Sequence, residues 1–199
     1  MGARVGEAAP AFKTTAVLAD NTFAEVSLSQ FKGKYLLLFF YPLDFTFVCP
    51  SEILAFNSAV AEFKNRGVEL VGCSIDSHFT HKAWKDTPVE KGGIGQVQFP
   101  ILSDVTHEIV KAYGVEAAGG MAYRGLFLID AEGIVRHMLV NDLPLGRSVE
   151  EALRVVDALQ FTEKYGEVCP ANWKKGMKAM KPTADGVAEY LKEQYAGRN

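Results

Sequence analysis

The chain has 199 residues, 48% of them hydrophobic and 23% charged, with a formal net charge of −3. That make-up suits a globular protein with a sizeable core, and without a dense basic stretch it lacks the footprint of a nucleic-acid binder. No apolar run approaches the roughly 18 residues that cross a bilayer, no signal core opens the chain, and three cysteines without a CxxC point to a reducing, cytoplasmic setting rather than a disulfide scaffold.

In chain order, residues 11–27 alternate as a hairpin turning at Ala19-Asp20-Asn21. Lys34 to Tyr41 is a continuous apolar run, the mark of a strand buried on both faces. After Pro42 comes a loop to Cys49. Ile53, Phe56, Val60 and Phe63 then recur at helical spacing, predicting one helix over about 50–65, stopped by Asn65-Arg66-Gly67. Val68 to Ile75 reads as a buried strand carrying Cys73. A short helix follows from His78 to Asp86, then the loop Gly92-Gly93-Ile94-Gly95 and a strand near Val97 to Leu102.

Thr106 to Tyr113 reads as a helix ended by Gly114, and Arg124–Ile129 with Ile134–Val140 as an antiparallel hairpin. Ser148 caps a long helix that turns Leu153, Val156, Leu159 and Phe161 inward. Parallel units followed by an antiparallel edge predict an α/β sandwich of the thioredoxin type. The expected division is a folded domain over 1–164 and a C-terminal arm over 165–199, with a last amphipathic helix from Ala184 to Tyr195. Lys174, Lys175, Lys178 and Lys181 read as a solvated face of that arm.

Chemistry enters at Cys49. A thiolate, not a thiol, is the nucleophile, and a helix N-terminus offers unpaired N–H groups and a positive dipole end to it. Thr46, three residues upstream, supplies a hydroxyl, and Pro42 can shield the pocket. Such a group can attack one oxygen of an O–O bond while donors meet the leaving oxygen. The motif alone also fits a cysteine that merely fills core space. Cys73, inside an apolar strand, reads as inert.

The segment Tyr41-Pro-Leu-Asp-Phe-Thr-Phe-Val-Cys49-Pro-Ser-Glu-Ile53 resembles the active-site stretch of the typical two-cysteine peroxiredoxins, the family that includes the peroxidase component of bacterial alkyl hydroperoxide reductase and the thioredoxin peroxidases. Three further stretches resemble the same family in the right order: Val71 to Trp84, Tyr123 to Asp130, and Val168-Cys-Pro-Ala-Asn-Trp173. The resemblance implies that Cys49 is the peroxidatic nucleophile, that Thr46 and Arg124 orient the peroxide, that Pro42 shields the sulfenate, and that Glu52 holds the arginine. It implies that Cys169 is the resolving thiol, supplied by the other subunit of a head-to-tail dimer. No cofactor or metal is called for, and His78 and His81 read as solvent or interface residues.

The resemblance further implies a hydroperoxide substrate, recycling by thioredoxin or a flavoprotein disulfide reductase, and a ring of five dimers. The strand from Ile134 would pair subunits, and loops around Phe45, Phe79 and Trp84 would join dimers. In the family a Gly-Gly-Leu-Gly loop and a C-terminal Tyr-Phe pair favour over-oxidation. Here Gly92-Gly-Ile-Gly95 and Tyr190-Leu191 stand in their place, which implies intermediate resistance. A non-enzymatic chaperone and a one-cysteine peroxidase are the competing readings.

Overall fold

A computed structural model describes residues 2–196. Seven strands form a single mixed sheet: β1 (Lys13–Val17), β2 (Phe23–Ser27), β3 (Tyr35–Phe40), β4 (Val68–Ser74), β5 (Ile101–Ser103), β6 (Arg124–Ile129) and β7 (Val135–Asn141). Their order is β2-β1-β5-β4-β3-β6-β7. Four helices belong to the same unit: α1 (Cys49–Ser58), α2 (Val60–Asn65), α3 (His78–Asp86) and α4 (Glu108–Tyr113). This is the expected thioredoxin-like α/β architecture with an N-terminal hairpin.

The centre of the sheet follows from β3. Side chains alternate across a strand, so Leu36, Leu38 and Phe40 enter the cluster with Tyr113 and Phe127. Phe39 points the other way and stacks on Phe56 of α1, with ring centroids 4.7 Å apart. β3 is parallel to β4 and antiparallel to β6. The register that pairs Phe39 with Leu126 carries Arg124 to the end of β3 from which the loop into α1 leaves.

Three elements differ from expectation. The helix over 50–65 is two helices, broken at Ala59, where φ is −95° and ψ 4°. Just before the break the Ser58 hydroxyl donates back to the Leu54 carbonyl at 2.9 Å, a bond that bends helices. The strand near 97–102 is confined to Ile101–Ser103. Val97 and Phe99 are buried, but the Gln98 N–H is taken by the Asn57 side chain at 2.7 Å and Pro100 has no N–H to give. The helix expected from Thr106 starts at Glu108, because His107 takes a left-handed φ of 60°.

The chain separates into two compact units, one ending at Val149 and one beginning at Glu150. The division falls at the start of the long helix α5 (Val149–Tyr165). Within the second unit Ala152 and Val156 are buried, while Leu153, Leu159 and Phe161 are half-buried. Phe161 and Trp173 pack with ring centroids 4.9 Å apart. Val168 and Met180 bridge in antiparallel fashion, and α6 (Ala184–Tyr195) is capped by Thr183, whose hydroxyl accepts from the Gly186 N–H. Among the described residues no helix is long and apolar enough to cross a membrane.

Candidate active site

Cys49 is the first residue of α1, and Pro50 follows where its missing N–H costs nothing. The sulfur is fully buried. The Thr46 hydroxyl lies 3.0 Å from it and Nη1 of Arg124 3.4 Å from it. The same hydroxyl lies 2.7 Å from the Leu43 carbonyl oxygen. A hydroxyl has one hydrogen, so the sulfur and that carbonyl compete for it when the sulfur is ionised. Pro42 is buried at the head of the loop, and Phe45, inside it, has a left-handed φ of 54°. For a bulky residue that conformation costs on the order of 1–2 kcal/mol and persists only where its surroundings over-determine it.

Below the sulfur lies a buried ionic network. Oε2 of Glu52 accepts from Arg124 Nη1 at 2.6 Å and from Arg147 Nη2 at 3.0 Å. Oε1 accepts from Arg147 Nε at 2.7 Å and from the Arg147 backbone N–H at 2.8 Å. Arg147 also donates to the carbonyls of Phe40 at 2.8 Å and Gly125 at 2.6 Å, and its guanidinium lies over the Phe39 ring. Arg124 Nε donates to the Leu143 carbonyl at 2.6 Å. Two guanidiniums against one carboxylate leave a surplus positive charge, and Arg124 presents it to Cys49.

Burial opposes ionisation of Glu52, but the hydrogen bonds and charge of Arg147, with the charge of Arg124, outweigh it and hold the carboxyl below its ordinary 4.5. Burial likewise lowers Arg147 from the usual guanidinium value, with Glu52 acting against it. Arg147 is a site residue that the motifs do not reveal. Its one sequence signal is an arginine among Gly and Pro in a loop otherwise exposed, Leu143-Pro-Leu-Gly-Arg147.

A second buried cluster holds the loop itself. Tyr41 donates to Asp44 Oδ1 at 2.7 Å, His81 Nδ1 lies 2.7 Å from Asp44 Oδ2, and His81 Nε2 lies 3.1 Å from the Leu102 carbonyl. Burial, then the Asp44 charge, pushes the Tyr41 phenol well above its ordinary range, so it stays a donor. His81 is therefore neither a solvent nor an interface residue: it is fully buried and fully engaged. Among the described residues no group of three His, Cys, Asp or Glu is arranged to hold a metal ion.

Trp84, expected at a surface, is also fully buried, with its ring 5.7 Å from that of Phe45 and its N–H donating to the Gly92 carbonyl at 2.8 Å. Phe45 and Phe79 are exposed. In the glycine loop a Cβ at Gly93 would meet the Thr87 carbonyl oxygen at 1.8 Å, and Gly92 and Gly95 take left-handed φ values of 83° and 59° that strain any other residue.

The remaining thiols differ from Cys49. Cys73 is fully enclosed, and burial, then Asp104, pushes its thiol well up. Cys169, in the second unit, is half-buried and, among the described residues, has the Ala158 carbonyl at 3.7 Å and the Thr162 hydroxyl at 3.8 Å as weak partners. All three are free.

A thioredoxin-like sheet presenting a sulfur between a hydroxyl and a guanidinium defines a class of thiol enzymes, and comparison fixes the family. Residues 5–138 match the model of the AhpC/TSA family and residues 158–193 that of the C-terminal domain of 1-Cys peroxiredoxin. The chain belongs to the AhpC/TSA family and, within it, to the typical two-cysteine peroxiredoxins, enzymes that reduce peroxides with thiols. It is 55% identical to peroxiredoxin-2 of Macaca fascicularis over 190 residues, 95% of this chain and 96% of that one. The reduced 2-Cys peroxiredoxin of Plasmodium vivax superposes with a TM-score of 0.93 at 58% identity, over 94% of this chain and 97% of that one. A Plasmodium yoelii Prx1a modified at its N-terminus, described as forming an artifactual octamer, matches with a TM-score of 0.78 at 57% identity, over 86% of this chain and all of that one.

Proposed function

We propose that Cys49 is the thiol that attacks the peroxide and Cys169 the thiol that resolves it. The Cys49 thiolate attacks one oxygen, the O–O bond breaks, and the other oxygen leaves as water or an alcohol after taking a proton. Cys49 becomes a sulfenic acid. The Cys169 thiol of the partner subunit then displaces water to form an intersubunit disulfide, which a dithiol reductant returns to two thiols. The observation that carries this reading is the placement of one sulfur 3.0 Å from the Thr46 hydroxyl and 3.4 Å from the Arg124 guanidinium. In the proposed roles Thr46 and Arg124 hold the peroxide and meet the charge on the leaving oxygen, Glu52 fixes Arg124, and Pro42 keeps water from the sulfenate.

A fully buried Cys49 must emerge before Cys169 can reach it, since a disulfide needs Cα atoms within about 7 Å. The first turn of α1 is suited to opening: its N-cap, Val48, makes no side-chain capping bond, and capping is worth about 1 kcal/mol. The helix is also short, ending at Ser58. We infer thioredoxin or a flavoprotein disulfide reductase as the recycling partner, a homodimer and a ring of five dimers as the assembly, and a reducing cytoplasmic setting for the three free thiols.

Non-reducing gels after one equivalent of hydrogen peroxide test the pairing. Wild type should give a dimer band that Cys49→Ser and Cys169→Ser each abolish. A band surviving Cys169→Ser would overturn the resolving role, and the absence of any band in wild type would favour a one-cysteine mechanism.

A further inference from the structure

We propose that Asp44 is a positioning residue for the peroxide reaction, fixing the Leu43–Asp44 peptide so that its carbonyl holds the Thr46 hydroxyl beside the Cys49 sulfur. The inference rests on the Cys49 reading above and adds to it a residue that touches neither sulfur nor substrate. Every link is a short contact. A peptide unit is planar, so the Leu43 carbonyl and the Asp44 N–H move as one body. The Asp44 N–H donates to Asp76 Oδ2 at 3.0 Å, and that oxygen also accepts from the Ser74 hydroxyl at 2.6 Å. The carbonyl on the other side of the plane lies 2.7 Å from Thr46 Oγ1, which lies 3.0 Å from the sulfur.

The Asp44 side chain locks the same plane from within. Its two oxygens face Tyr41 and His81 at 2.7 Å each. The Leu102 carbonyl can only accept, so His81 Nε2 carries a hydrogen. That leaves one proton between Nδ1 and Asp44 Oδ2, and the pair is neutral as a whole whichever atom holds it. A buried carboxylate with both oxygens satisfied and no net charge on its pair is a stable anchor. The carboxylate ties the loop to the end of β3, through Tyr41, and to α3, through His81, while the Asp44 N–H ties it to the end of β4, through Asp76 and Ser74.

The strained φ of 54° at Phe45 is an independent sign of the same constraint. Phe45 is the residue between the anchored Asp44 and the hydroxyl-bearing Thr46. An unfavourable backbone conformation there survives because both neighbours are held. Release of Asp44 lets the 44–46 backbone relax, and the Thr46 hydroxyl then drifts from the sulfur.

Asparagine fits the anchor as well as aspartate. Its oxygen accepts from Tyr41, and its NH2 donates to a His81 that keeps its hydrogen on Nε2. Alanine removes both contacts. The test is a double-mutant cycle on the second-order rate constant for hydrogen peroxide, with the rate of Cys49 alkylation by iodoacetamide, which needs no donor at Thr46, measured beside it.

Asp44→Ala should lower the peroxide constant about tenfold and leave alkylation within about twofold, and Asp44→Asn should restore the peroxide constant to within about threefold of wild type. On a Thr46→Ala background Asp44→Ala should add less than about twofold. Multiplicative losses in the cycle, or equal losses in peroxide and alkylation rates, would overturn the proposal. Should Asp44→Ala fail to fold, Tyr41→Phe, which removes one donor to Asp44, carries the same cycle. Cys49→Ser separates the two claims: if it reacts with peroxide like wild type, the Cys49 reading fails, whereas a dead Cys49→Ser with an additive cycle sinks only the role of Asp44.

Discussion

The surroundings of Cys49 and Cys169 are opposites. Cys49 is enclosed at the start of a helix, with a hydroxyl and a guanidinium aimed at it and a buried Glu52–Arg124–Arg147 network beneath. Cys169 is half-buried and, among the described residues, has a carbonyl and a hydroxyl at sulfur-length distances. The first environment is built for charge that develops at one point; the second leaves a thiol loosely held. On the proposed reading each setting fits its step: the attacking sulfur is fixed while it meets its substrate, and the loosely held resolving sulfur is free to meet it once the first turn of α1 opens.

The widest test of the contrast is to break the network under Cys49. Arg147→Met strips Glu52 of both hydrogen bonds from the guanidinium, leaving only the backbone N–H of residue 147 and Arg124. Breaking a buried ion pair from one side costs about 3–5 kcal/mol, and urea unfolding should show a loss of that order. A loss under about 1 kcal/mol would mean the network is not what holds the pocket.

Proton linkage sharpens the same point. The Glu52 carboxyl is depressed in the folded chain, so its contribution is complete above its ordinary 4.5 and is lost as pH falls through the folded value. The stability gap between wild type and Glu52→Gln should therefore narrow as pH drops from about 6 to about 3. A gap that stays constant over that range would remove Glu52 as the source.

At the loosely held thiol the expected effect on the first step is small. Cys169→Ser should leave the rate of peroxide consumption in the first turnover within about twofold, because that step uses only the Cys49 pocket. Steady turnover on a dithiol reductant should slow. Peroxide titration of the recycling enzyme should show inactivation of intermediate sensitivity, and full resistance would remove any role for the Gly92–Gly95 loop and Tyr190.

What could be read from the sequence was local. Cys49, Thr46 and Pro42 lie within one short segment, and Pro50 with the periodic Ile53 and Phe56 marks the helix that places them. The strands β3 and β4 announced themselves as buried apolar runs, and β6 with β7 as a hairpin. Contacts over long stretches of chain were out of reach: Arg147 meets Glu52 from 95 residues away, through a loop with no periodicity. The break at Ala59 depends on one hydroxyl bonding backward, which no apolar pattern records.

The buried stripe of α3 was misjudged for a different reason. His81, Trp84 and Lys85 recur at spacings of three and one, all buried, but two of the three are polar. Each is reconciled with the interior by a specific acceptor, Asp44 and the Leu102 carbonyl for His81 and the Leu18 and Ala19 carbonyls for Lys85. His81 reads in sequence as a solvent or interface residue and Trp84, by resemblance, as part of a surface loop, whereas their helical spacing was the signal for burial.

Which sulfur meets the peroxide decides everything else. Stopped-flow mixing of hydrogen peroxide with wild type, Cys49→Ser, Cys73→Ser and Cys169→Ser, each followed through its first turnover, asks this directly. The rapid phase should vanish in Cys49→Ser alone and persist in the other two. A rapid phase surviving in Cys49→Ser would contradict the assignment.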